Sequence, residues 1–177
     1  GRSTKSDIFL DLLDIDNSAL YKIKPDQFDA VIHLAASNEV FCRNSPSLAR
    51  SLTVKGTRTL FEWASRLQIK KFVYISTFHV FGANSGVIDE SIAPLPLNDY
   101  GRNHLLAEKL LMSGNFKSDT GILVIRPSNL IGVPSDWTSF NRWSLAPFDF
   151  CKQAYLTNQI LLNSDGSQVR IWVSIYH

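Results

Sequence analysis

Three short, continuous apolar runs constrain this chain most: Ala30-Val31-Ile32-His33-Leu34-Ala35-Ala36, Phe72-Val73-Tyr74-Ile75 and Ile122-Leu123-Val124-Ile125. None alternates apolar with polar residues, so each reads as a strand buried on both faces of a parallel sheet. Parallel neighbours cannot be joined by a tight turn and need a crossover, usually a helix. The sequence supplies two. Leu48 to Leu67 places Leu52, Leu60, Phe61 and Ala64 at helical spacing, and Tyr100 to Leu111 aligns Leu106, Ala107, Leu110 and Leu111. Strand–helix–strand–helix–strand predicts an α/β protein with a doubly wound parallel sheet. Right-handed crossovers then put the strand ends, and any ligand, along one edge. A strand is also expected at Asp7 to Leu12. Another, Gln168 to Ile175, follows the turn Ser164-Asp165-Gly166-Ser167 and reads as part of a different layer.

Composition narrows the function by exclusion. An apolar content of 45% with 19% charged residues is that of a globular protein, not a disordered or fibrous one. A net charge of +2, with Lys70-Lys71 as the only adjacent basic pair, gives no nucleic-acid stripe. The apolar runs are far shorter than the roughly 20 residues a membrane helix needs, and no signal peptide is visible. Cys42 and Cys151 have neither metal-type nor redox-type spacing, so no metal site is expected. Two free thiols point to a reducing compartment, with cytoplasm the expected location. No repeat, low-complexity tract or linker interrupts the chain.

Both ends read as cut. No Gly-x-Gly-x-x-Gly or Gly-x-x-Gly-x-x-Gly turn occurs to hold a dinucleotide pyrophosphate. The last strand also has no covering element after it. The expectation is a fragment, or a chain whose flanks lie elsewhere.

The segment Tyr100-Gly101-Arg102-Asn103-His104-Leu105-Leu106-Ala107-Glu108 carries the most chemistry. A Tyr four residues before a cationic side chain, at the head of an amphipathic helix, sets a phenol beside a positive charge. That arrangement lets a tyrosine exchange protons near neutral pH. Taken alone, Tyr100 reads more simply as an interfacial aromatic at a helix start; the Thr77 segment and the downstream helix turn the reading toward chemistry.

Five other segments join it in order. They are Asp14-Ile15 ahead of the first apolar run; Val54-Lys55-Gly56-Thr57; Ser76-Thr77-Phe78-His79-Val80-Phe81-Gly82; Arg126-Pro127-Ser128-Asn129-Leu130-Ile131-Gly132; and Asp165-Gly166-Ser167-Gln168-Val169-Arg170. Together, from about Asp11 to Arg170, they resemble the extended short-chain dehydrogenase/reductases, in the NAD-dependent epimerase/dehydratase branch typified by UDP-galactose 4-epimerase. The resemblance implies a Rossmann-type sheet without its first strand–Gly-turn–helix. It implies a partial dinucleotide-binding domain over residues 1–135 and the start of a small, truncated substrate-binding region over 136–177. NAD or NADP is the implied cofactor and a nucleotide sugar the implied substrate, with a homodimer allowed. Arg2 and Ser3 would favour the 2′-phosphate of NADP if they follow a strand.

The resemblance also assigns roles. Tyr100 is the expected proton carrier, with Thr77 steadying the substrate oxygen and His104 at the position usually held by Lys. Asp14, Ile15, Ala35, Ala36, Thr53, Pro127 and Ser128 join Tyr100 and His104 around the cofactor. Thr77, His79, Asn129 and Arg170 face the substrate. The less specific readings are a backbone-bonded strand-end hydroxyl for Thr77, a pocket wall for His79 and a solvated surface cation for Arg170. Four positions depart from the family pattern. Phe78 and His79 stand where sugar 4,6-dehydratases carry an Asp-Glu pair, which argues against dehydration. Thr53 stands where Asn is usual. His104 replaces a constant charge worth roughly 4 kcal/mol to a phenol about 4 Å away, and a free His is only about one-quarter protonated at pH 7. Two expectations follow: an NAD(P)-dependent epimerase or ketoreductase, or a catalytically impaired relative that binds nucleotides or regulates.

Overall fold

Strands β1 (Ala30–His33), β2 (Lys71–Ile75) and β3 (Gly121–Ile125) pair in parallel in the order β1-β2-β3. The register sets Val31 beside Phe72, and Tyr74 beside both His33 and Val124. The computed structural model describes residues 8, 10–13, 23–24, 27–82, 86–138, 140, 142–167 and 169–176. Asp14, Ile15, Arg2, Ser3 and Gln168, all named above, lie outside the described residues. The chain divides into two compact units, Gly1–Pro127 and Ser128–His177.

The first crossover is more broken than its periodicity suggests. Helix α1 (Glu39–Asn44) is capped by Asn38, whose side chain accepts from the Phe41 amide at 2.8 Å. Pro46 then opens α2 (Pro46–Arg50), where its missing N–H costs nothing. A π-helical turn over Ser51–Lys55 leads into α3 (Gly56–Arg66). Such turns add one residue and re-aim the side chains beyond them. The second crossover is α4 (Asp99–Met112), capped by Asn98 through the Gly101 amide at 2.8 Å.

The strand order explains the packing. Successive right-handed crossovers that always step the same way lay both helices on the same face. Leu60, Phe61 and Ala64 of α3 and Ala107 and Leu111 of α4 accordingly share one core with Phe72 and Tyr74 of β2. Phe61 meets Phe72 edge-on with centroids 5.2 Å apart. The expectation of strands buried on both faces is corrected here. On the opposite face Ile32, Leu123 and Ile125 are 63%, 55% and 40% exposed. A continuous apolar run reports that two faces want cover, not that both have it.

A strand over Asp7 to Leu12 is not found either: none of the described residues there, Ile8 and 10–12, is in a strand. In the second unit β4 (Asn129–Ile131) pairs in parallel with β5 (Trp172–Ser174), a sheet of its own. The expected last strand is thus real but shorter. Helix α5 (Ala146–Thr157) ends at Asn158, whose φ of 54° makes the left-handed stop. An aromatic cluster of Trp137, Phe140, Trp143 and Phe148 packs beside it in sequence, with Phe140 and Phe148 centroids 4.6 Å apart.

Candidate active site

The carboxyl ends of the three parallel strands carry most of the residues singled out from sequence. Ala35 and Ala36 follow β1, Ser76 and Thr77 follow β2, and Arg126 and Pro127 follow β3. In open α/β sheets that edge is where ligands bind. Pairing continues past the strands: the Ser76 amide donates to the Ile125 carbonyl at 2.7 Å and the Phe78 amide to the Pro127 carbonyl at 3.0 Å. Thr77 is therefore held in extended backbone at the start of a 3₁₀ turn, Phe78–Val80. Its hydroxyl accepts the His79 amide at 3.3 Å, so the backbone-bonded reading of Thr77 is satisfied, with a hydroxyl still free to donate.

Tyr100 reaches the same place from α4. Gly101 lets the helix head come close, since a Cβ there would lie 2.6 Å from the His79 carbonyl oxygen. The half-buried Tyr100 ring then stands edge-on to two imidazoles, centroids 5.5 Å from His79 and 4.7 Å from His104. Tyr100, His79 and His104 are brought together, with Thr77 two residues from His79.

His104 differs from its expected state. It is buried, 2% exposed, and its Nδ1 lies 2.8 Å from the Tyr74 hydroxyl. Burial holds its pKa down to about 4; Glu39 opposes that shift and His79 adds to it. The one-quarter protonation expected of a free histidine is corrected to an uncharged ring at pH 7. Its Nε2 is buried with no hydrogen-bond partner, and an unsatisfied buried group costs on the order of 1–3 kcal/mol.

Behind His104 lies a polar network that periodicity alone did not reveal. Tyr74 is fully buried, and burial first, then the Glu108 carboxylate and Tyr100, push its phenol well up; a Thr57 hydrogen bond opposes this. The Thr57 hydroxyl donates to the Thr53 carbonyl at 2.5 Å and lies 2.9 Å from His33 Nε2. His33 is likewise held to about 4, by burial and then by His104. Thr53 sits on the π turn, and its hydroxyl takes the Ser37 amide at 3.1 Å and shares a 2.7 Å bond with the Ser37 hydroxyl. The Thr53 side chain thus fastens the loop after β1. Ser37 Oγ lies 3.3 Å from the Cys42 thiol, which Asn103 Nδ2 meets at 3.7 Å.

One turn beyond His104, Glu108 is saturated. Arg126 grips it with Nη2 at 2.7 Å from Oε2 and Nε at 3.1 and 3.2 Å from the two oxygens. Ser76 Oγ donates to Oε1 as well. The guanidinium also lies over Phe81, 4.8 Å from the ring centroid. Sequence reading passed over Glu108 and Tyr74. The available signals were the four-residue spacing from His104 to Glu108, and a hydroxyl and an imidazole set inside apolar runs.

The remaining candidates lie at or beyond the start of the second unit. Asn129 Nδ2 donates to the Ile171 carbonyl at 3.0 Å, tying β4 to the segment before β5. Ser128 Oγ is buried without a partner. Arg170 is exposed, after a turn in which Ser167 donates twice to Asp165 and lowers its carboxyl pKa.

A parallel α/β sheet with a tyrosine at a helix head beside its strand ends defines a Rossmann-type protein of the short-chain dehydrogenase kind. Residues 2–176 match the model of the NAD dependent epimerase/dehydratase family, and the chain belongs to that family. It is 30% identical over 120 residues to the probable UDP-arabinose 4-epimerase 3 of Arabidopsis thaliana, 66% of this chain and 29% of that protein. It is 29% identical over 127 residues to the human dTDP-D-glucose 4,6-dehydratase, 67% of this chain and 35% of that one. Among solved structures, the UDP-glucuronic acid 4-epimerase from Bacillus cereus, in complex with UDP-glucuronic acid and NAD, superposes with a TM-score of 0.76 at 28% identity. That match covers 94% of this chain and 50% of the Bacillus enzyme. The chain thus spans half or less of the length of each of these three relatives.

Proposed function

We propose that this chain works in an NAD- or NADP-dependent enzyme acting on a nucleotide sugar, as an epimerase or carbonyl reductase, with residues 1–135 on the dinucleotide side and 136–177 on the substrate side. One observation carries the reading: a half-buried Tyr100 beside the buried His104, whose Nε2 has no partner. An unpaired polar atom beside a phenol suits the ribose hydroxyls of a nicotinamide dinucleotide. His104 and Tyr100 would hold that ribose, with Ala35, Ala36 and Pro127 at the strand ends around it; the resemblance adds Ser128 to the cofactor's contacts. When bound, the dinucleotide supplies a hydride acceptor and donor. The residues then divide the remaining work. Tyr100 takes or returns the proton of a sugar hydroxyl, Thr77 donates a hydrogen bond to the same oxygen, and Asn129 and Arg170 act on the substrate side. A planar guanidinium suits a diphosphate through paired charge-assisted bonds.

Phe78 favours epimerisation or reduction over dehydration, since a phenyl ring cannot supply the acid or base that elimination of water requires. The human dehydratase among the relatives keeps dehydration within the family, so the discrimination rests on Phe78 and His79. A second reading, a nucleotide-binding relative with impaired catalysis, is favoured by one observation: His104 is uncharged and lends Tyr100 no fixed charge.

Titration of the full-length protein with NAD and NADP, followed by assay against UDP-hexoses, UDP-pentoses and UDP-uronic acids, separates the readings. The enzyme reading expects binding and turnover, with Tyr100→Phe retaining binding and losing roughly 10²-fold or more in rate. Binding without turnover supports the second reading. Absence of dinucleotide binding removes both.

A further inference from the structure

The hydrogens around Tyr74 can be assigned by elimination. Thr57 has one hydroxyl hydrogen, and the 2.5 Å bond to the Thr53 carbonyl uses it. Thr57 Oγ1 can therefore only accept at its 2.9 Å contact, so His33 donates from Nε2. At the Tyr74–His104 contact of 2.8 Å both partners carry one movable hydrogen. A phenol is the more acidic donor and a neutral imidazole nitrogen the more basic acceptor. The Tyr74 hydrogen has two acceptors in reach, His104 Nδ1 and Thr57 Oγ1; Thr57 already takes the His33 hydrogen and a hydroxyl oxygen is the less basic, so the favoured arrangement is Tyr74 O–H to His104 Nδ1. The rings lie at 28° with centroids 5.8 Å apart, and both residues are buried, so Nδ1 cannot readily exchange its partner for water. With Nδ1 accepting, the ring's own hydrogen sits on Nε2, the atom left unpaired on a ring whose centroid lies 4.7 Å from that of Tyr100.

We propose that Tyr74 is a positioning residue that locks His104 in its Nε2–H tautomer, so that His104 offers an N–H donor to a ligand oxygen bound beside Tyr100. The tautomer is a property of the chain itself; only the identity of the acceptor, a ribose hydroxyl, rests on the function proposed above. A neutral N–H donor would thus stand where a cation is usual in the family.

The test is a long-range ¹H–¹⁵N correlation spectrum of the histidines in the ligand-free, full-length protein near pH 7, with His104 assigned by comparison with His104→Gln. The expected pattern is a bare Nδ1 and a protonated Nε2. In Tyr74→Phe, which removes the donor and keeps the ring, the His104 signals should move toward a mixture of tautomers while those of His33 keep the Nε2–H form. NAD binding should weaken about tenfold, the loss of one oriented hydrogen bond. An Nδ1–H or doubly protonated His104 in the unaltered protein overturns the proposal, as does an unchanged His104 spectrum in the variant. The unaltered protein's spectrum decides the matter even if the variant does not fold. A failure to bind NAD, with the tautomer as expected, would remove the proposed function and leave the Tyr74 role standing.

Discussion

His104 and Glu108 lie one helical turn apart on α4, both buried, and they are treated in opposite ways. Glu108 accepts four hydrogen-bond contacts, one from Ser76 and three from Arg126. His104 has one bond, to Tyr74, and one orphan nitrogen. Saturation at Glu108 ties the helix to the ends of β2 and β3 and leaves nothing for a ligand to do. The orphan at His104 is the reverse, a local cost with no compensating bond within the described residues. Buried polar groups on one helix face thus divide into one that fixes the sheet edge and one left with an unpaired nitrogen.

Acid should break the His104 side of this comparison first. His33 and His104 have folded pKa values of about 4 against an unfolded value of 6.5. The unfolded chain therefore binds more protons between those limits, and stability must fall as pH drops from 6.5 toward 4. It should be level above that window and fall no further, on this account, below it. Each histidine contributes on the order of 3 kcal/mol over the full span, with their mutual repulsion making the two losses interdependent. Urea unfolding midpoints measured across that range check it, and a flat profile would refute the burial of both rings.

Glu108→Ala should cost about 3 kcal/mol, near the low end for breaking a buried pair, because the Arg126 side chain keeps 24% of its surface in solvent. Denaturant titration reads it; a cost as small as that of an exposed pair would contradict the clamp. Tyr74→Phe should cost about 1 kcal/mol, the net value of one neutral hydrogen bond, so the His104 side contributes less to stability than the Glu108 side. Arg58→Ala should sit within about 0.5 kcal/mol of the unaltered protein, since its bond to Glu62 joins side chains 60% and 43% exposed. It is the reference against which the buried pairs are judged.

How much of this was legible in the sequence follows from what periodicity and motif can carry. The runs at 30–36, 72–75 and 122–125 became the three strands, and Tyr100 to Leu111 became α4, because apolar spacing reports secondary structure directly. Tyr100, His79 and His104 were placed near one another by order of motifs, and the structure brings their rings together. The bare face bearing Ile32, Leu123 and Ile125 was not legible, since an apolar run cannot say which side is covered. Nor were the partners of Tyr74, Thr57 and Glu108. Those bonds join residues 18 to 32 positions apart through the packing of helices on the sheet, and no local pattern encodes which buried polar group meets which. The uncharged state of His104 is of the same kind: its residue type gave a switch near neutrality, and only its burial removed the charge.

The most direct measurement is the affinity of the full-length protein for NAD or NADP as a function of pH, between about 5.5 and 8, a range in which a free histidine would titrate. The account predicts binding whose strength is level across that range, because His104 stays uncharged until about pH 4. Affinity that climbs as pH falls through the ordinary histidine range would show a charged His104, and no binding at any pH would contradict the assignment of this edge as a dinucleotide site.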